Sequence, residues 1–188
     1  MTHWPVRMDQ RQTWKKGARK LVFLSLMTAL AMVLQILESI LPNPAPWIRV
    51  GLANVVILVV LSMFGIREGL MVTGLRVVLA STLLGTIFGP TFWLSLSGGM
   101  TSTLCMGLLI SFLPGTFSLI GISIAGAFIH NIIQLSVASL LIIRQTSLIY
   151  LLPVLLITAI IAGFVTGLAA SLIMDSLFDG SRPVPLVS

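Results

Sequence analysis

Residues 15–47 read KKGARKLVFLSLMTALAMVLQILESILPNPAPW. Four cations, Lys15, Lys16, Arg19 and Lys20, lead directly into an apolar run over residues 21–41. A membrane-spanning helix needs about 20 apolar residues, so this run has the length to cross a bilayer. It stops at PNPAPW (42–47), where Pro42, Pro44 and Pro46 remove backbone donors and cannot continue a helix. A cationic flank followed by a full-length apolar helix orients a chain in a membrane.

Composition extends this reading to the whole chain. Its 188 residues are 57% hydrophobic and 9% charged, with mean hydropathy +1.10. A soluble domain carries about a quarter charged residues, so this chain could not cover a water-facing surface. The sequence therefore predicts an all-α integral membrane protein, small enough to form one bundle. The net charge of +6 does not point to nucleic acid, because six of the eleven Lys/Arg lie within the first twenty residues. There they set topology and meet anionic lipid headgroups. Cys105 is alone, so it forms no intrachain disulfide and supplies no metal-ligand spacing. The run 21–41 is too long for a signal-peptide core, and no A-x-A cleavage pattern follows it.

Breaks in the apolar pattern mark six candidate spans, near 21–41, 49–64, 68–88, 92–113, 117–143 and 148–174. The second is short, which predicts tilt, bending or shielding by the loop before it. Counting cations with the N-terminus inside puts the six N-terminal ones, Arg67 and Arg182 on the cytoplasmic side. Arg49 and Arg144 lie outside, and Arg76 falls within a span. Eight against two is a positive-inside bias, with Trp47, Trp93 and Tyr150 near the outer interface. The expected architecture is a six-transmembrane-helix bundle, N-in and C-in, in the cell membrane. It comprises a basic cytoplasmic segment (1–20), the transmembrane domain (21–174) and a short disordered cytoplasmic tail (175–188).

Against this apolar background the segment GISIAGAFIHNIIQ (121–134) places His130, Asn131 and Gln134 together at membrane depth. Polar groups there are costly unless satisfied, so they are default candidates for a functional site. At about 1.5 Å rise per residue, Glu38, Asn54 and the 130–134 cluster all fall in the outer half, with Arg76 near mid-depth beneath them. His130 and Gln134 share one helical face, as do Asn131 and Gln134. Donors and acceptors opening outward over a cation suit a pocket for a small polar or anionic molecule. Interhelical hydrogen bonding serves equally well for Asn54, Asn131, Gln134 and His130. An interfacial position suits Glu38, and pairing with an acid or carbonyls suits Arg76. Small residues recur at helix-packing spacing: Gly121 and Ala125 in the fifth span, Gly163 and Gly167 as G-x-x-x-G in the sixth. Ser25 and Ala29 form a weaker pair in the first, free to dock another subunit if they face lipid.

No catalytic or metal-binding pattern emerges. The five acidic residues make no D-D-x-x-D site for magnesium and diphosphate. The sequence contains no G-x-x-x-x-G-K-[ST] phosphate loop, H-E-x-x-H zinc motif or G-x-S-x-G elbow. Neither a cofactor nor enzymatic activity is expected.

VGLANVV (50–56), GLRVVL (74–79), SLSGGM (95–100) and SLIGISIAGAFIHNIIQL (118–135) together resemble the Gx transporter family, also described as heptaprenyl diphosphate synthase component I. The likeness runs over residues 20–175, with GLAN, SLSGG and HNxxQ in that order. That family is similar to the substrate-binding S components of energy-coupling factor importers. The resemblance implies a six-helix subunit that captures a small molecule outside the cell and joins a transmembrane coupling subunit and two cytoplasmic ATPases. It implies docking through small residues of the first helix, often A-x-x-x-A, for which this chain has Ser25 and Ala29. It also implies a first outer loop, here PNPAPW, that covers the solute. A quinone precursor, an isoprenoid precursor or a vitamin-like compound fits as cargo. The competing reading is a non-catalytic membrane accessory of isoprenoid or menaquinone side-chain synthesis. A channel or secondary carrier is disfavoured by the absence of a visible repeat.

Overall fold

A computed structural model of the chain describes residues 17–40, 51–113, 115–140 and 152–178. These hold six helices and, among the described residues, no strand: α1 (Gly17–Ile40), α2 (Leu52–Phe64), α3 (Ile66–Leu83), α4 (Pro90–Phe112), α5 (Leu119–Ala138) and α6 (Leu152–Phe178). The PNPAPW loop with Trp47, as well as Arg49, Arg144, Tyr150, Arg182 and the cations before Gly17, lie outside the described residues. Helices α1, α4, α5 and α6 are long and apolar enough to cross a membrane.

Local chemistry explains where the helices stop. The apolar run of the third span continues to residue 88, yet α3 ends at Leu83. Gly85 takes φ 67°, a left-handed conformation that costs glycine little, and terminates the helix. Thr86 N–H then donates to Ser81 O at 2.8 Å and Gly85 N–H to Thr82 O at 3.2 Å, satisfying orphan carbonyls in a Schellman pattern. Gly89 and Pro90 start α4, proline occupying a first-turn position that lacks a helical partner anyway. Ser118 caps α5, its hydroxyl accepting from Gly121 N–H at 3.2 Å.

The short α2 is the centre of the bundle and packs on all five other helices. Ala53 and every residue from Val55 to Leu61 are buried. A helix that is hydrophobic all round belongs in an interior. Its 13 residues span about 20 Å, less than the hydrocarbon thickness, but protein rather than lipid surrounds it. Its burial among the other helices shields its short length.

Helices α5 and α6 pack antiparallel and very close. A Cβ built on Gly163 would lie 2.6 Å from Ile124 Cα, and one on Gly167 would lie 2.6 Å from Ile120 Cα. The G-x-x-x-G face is therefore an internal seam of the bundle. Ser123 and Thr166 exchange a hydroxyl hydrogen bond at 2.8 Å across it. Between α4 and α5, Gly126 receives Met106, and between α3 and α4 the Thr73 and Thr103 hydroxyls meet at 2.9 Å.

At the end where α1 and α3 begin, Lys20 pairs with Glu68 and lies over the Phe64 ring, 5.8 Å from its centroid. Phe23 packs on the same ring. Ser25 and Ala29 are exposed on the outer face of α1 among Val22, Leu26, Leu30 and Val33.

Candidate functional site

The opposite end of the bundle carries the polar site. Gly51 opens α2 at φ 77° and ψ 32°, a left-handed turn that glycine adopts without a Cβ clash. Its N–H donates to a Glu38 carboxylate oxygen on the last turn of α1. A carboxylate is favoured there, because free N–H groups and the helix dipole both attract negative charge. One turn into α2, Asn54 N–H closes on Gly51 O at 2.8 Å and its side chain faces α3. The GLAN element thus holds an anion with its glycine and a cation with its asparagine.

That cation is Arg76, only 5% exposed. Its Nη1 donates to Gln35 Oε1 at 3.0 Å and its Nη2 to Asn54 Oδ1 at 3.3 Å. The flat guanidinium presents several donors in a fixed fork, so it can bind amides from α1 and α2 at once. Gln35 and Glu38 lie three apart on α1 and face the same site, both buried.

Helix α4 leaves room for these groups with Gly98 and Gly99. A Cβ at Gly99 would meet Thr73 Cγ2 at 3.2 Å and Arg76 Nη2 at 3.6 Å. A Cβ at Gly98 would meet Gln134 Cγ at 2.9 Å and the His130 ring at 3.2 Å. The glycine pair of SLSGG therefore admits Arg76 on one side and the α5 polar residues on the other.

A cavity of about 20 Å³ lies between these helices, lined by Gln35, Glu38, Gly51, Ala53, Asn54, Arg76, Ser95 and His130. It has room for a water. Of the residues expected at the site, the fold brings Glu38, Asn54, Arg76 and His130 into this lining. Asn131 instead turns to the α5–α6 seam and donates to Leu155 O at 2.8 Å. Gln134 is buried against α4, its amide 3.5 Å from Leu94 O, a long and weak contact. Gln35 and Ser95 join the lining without having been singled out in the sequence. The signal for Gln35 was its spacing from Glu38, and for Ser95 its place within SLSGG. Among the described residues, no three His, Cys, Asp or Glu side chains gather into a metal-binding group.

A family model described as heptaprenyl diphosphate synthase component I matches residues 27–173, from the third turn of α1 nearly to the end of α6. No curated protein and no solved structure matches the chain.

Proposed function

The chain belongs to the heptaprenyl diphosphate synthase component I family, and from that premise we propose that it is the solute-binding membrane subunit of an ATP-driven importer. The observation that carries this reading is the buried Arg76, held by Gln35 and Asn54 in a cavity it shares with Glu38, Ser95 and His130. A buried guanidinium among amides, a carboxylate and an imidazole, far from the ion pair at the other end, suits reversible capture of a polar solute. In this reading all six helices span the cell membrane, N-in and C-in, and the cavity faces outward. ATP hydrolysis falls to two cytoplasmic ATPases reached through a transmembrane coupling subunit. The exposed Ser25 and Ala29 on α1 support docking to that subunit, since small residues let helix backbones approach closely.

The test is affinity purification of the tagged full chain from a host that encodes such subunits. The expected result is recovery of coupling subunit and ATPases, with solute retained when ATP is absent. Recovery of the chain alone would sink the importer reading.

A second reading has one observation in its favour, the family description itself, in which "component I" implies a further component. In that case the chain is a non-catalytic membrane partner of prenyl diphosphate synthesis. It would then recover a soluble prenyl synthase in the same purification and alter the products that the synthase makes.

A further inference from the structure

The cavity of about 20 Å³ holds a water but nothing the size of an organic solute. A wall must therefore move before the site fills, and the helices that supply the walls are not equally fixed. Helix α2 is enclosed by the others. The Thr73 and Thr103 hydroxyls tie α3 to α4. Gly98 seats α4 tightly against Gln134 and His130 of α5, and α5 meets α6 with almost no space at Gly163 and Gly167. Helix α1 is peripheral: it packs chiefly on α2 and α3 and turns Leu26, Leu30, Val33 and Leu37 outward. Its contribution to the cavity wall is Gln35 and Glu38.

The fastening of α1 changes along its length. Before Thr28, Leu24 is buried, Met27 packs against the core, Phe23 lies on the Phe64 ring at 5.5 Å and Lys20 pairs with Glu68. Beyond Thr28 the buried residues are Ala31, Gln35 and Glu38, one methyl and two polar chains, with Leu34 partly buried beside them. Gln35 is bound by Arg76 and Glu38 by the Gly51 N–H. Lipid receives an apolar helix face as well as protein does, so this half can part from its neighbours without a hydrophobic penalty. Thr28 stands between the two halves. It is buried, and its hydroxyl donates to Leu24 O at 2.7 Å, a back-bond of the kind that bends helices. Resting on the reading of the cavity as a capture site, we infer that α1 is its gate, hinged at Thr28. The segment beyond Thr28 swings away from α2 and α3 and takes Gln35 and Glu38 with it, while the segment before it stays docked at Phe64 and Glu68. Closing returns Gln35 to Arg76 and Glu38 to the Gly51 N–H, so contacts that line the site also latch it.

The experiment measures distances between paired spin labels in the full chain, reconstituted in lipid vesicles in a Cys105→Ala background. Ser39→Cys with Thr91→Cys reports on the site end of α1, and Leu21→Cys with Phe112→Cys on the Lys20 end; all four positions are exposed. The site-end pair is expected to show a main distance and a longer, minor one, and the other pair a single distance. Gln35→Ala removes a latch bond and should raise the long population by about threefold to tenfold. Asn54→Ala takes the other amide from Arg76 but leaves α1 latched, so it should not move the distances. Thr28→Ala removes the back-bond and should shrink the long population. The gate is overturned if the site-end pair shows one distance that Gln35→Ala leaves in place, or if both pairs broaden alike. It is overturned equally if Asn54→Ala acts as strongly as Gln35→Ala, or if Thr28→Ala changes nothing. The parent protein and Thr28→Ala decide where Gln35→Ala fails to fold. None of these measurements needs solute or ATPases, so the gate and the importer reading fail separately.

Discussion

At the scale of single residues, Arg76 and Asn131 are both polar side chains at membrane depth, and the fold gives them different work. Arg76 binds amides of two other helices at the cavity, whereas Asn131 bonds a backbone carbonyl of α6 on the seam. Arg76→Lys should still insert but bind solute about tenfold more weakly, because an ammonium cannot reproduce the two-armed fork. Asn131→Ala should leave solute retention unchanged and lower stability by about 0.5–2 kcal/mol, the worth of an interhelical bond in a membrane protein. Mass spectrometry of retained solute, paired with unfolding midpoints, separates the two effects. Equal loss of solute in both variants would show that the seam position of Asn131 does not govern its role.

At the scale of helices, the glycines sort by what they approach. Gly163 and Gly167 face backbone atoms of α5, which cannot move aside as a flexible side chain can. Alanine at either position must push α5 and α6 apart, at an expected cost of about 1–3 kcal/mol. Gly74 in α3 has open space around it, so Gly74→Ala should be neutral or stabilising by a few tenths to about 1 kcal/mol. Unfolding midpoints of the three variants in one detergent provide the comparison. Lys20 and Glu68 form a partly exposed pair, their side chains 30% and 21% accessible. Glu68→Gln should therefore cost no more than about 1 kcal/mol and leave the cavity at the other end unaffected.

At the scale of the whole molecule, the proposed orientation makes a claim about sidedness. Ile87 lies in the α3–α4 turn and Thr116 in the α4–α5 turn, at opposite ends of the 23-residue α4. In a Cys105→Ala background, Ile87→Cys should react with an impermeant thiol reagent on intact cells. Thr116→Cys should react only after the membrane is opened. Labelling of both from one side would refute the six-span topology, and the reverse pattern would refute N-in orientation. Both turns are exposed, so a negative result cannot come from burial within the protein.

Much of this could be read from the chain alone. Apolar runs ended by Pro42, Gly65, Gly89-Pro90 and Pro114-Gly115, with a fifth break at the polar Arg144-Gln145, were enough to indicate six helices. Prolines and glycines act locally on the backbone, and a polar pair interrupts the apolar pattern. The spacing of GLAN, SLSGG and HNxxQ was enough to indicate the family. The end of α3 at Gly85 was missed because the residues beyond it are as apolar as those before. Tertiary structure alone decided how each helix is rotated. It turned Gln35 towards Arg76, sent Asn131 to α6 rather than to the cavity, and enclosed α2 within the other five helices. In water, an amphipathic pattern tells a helix which face to bury. In a membrane the outer face is as apolar as the inner one, so that pattern is lost, and only contacts between helices choose which side chains meet.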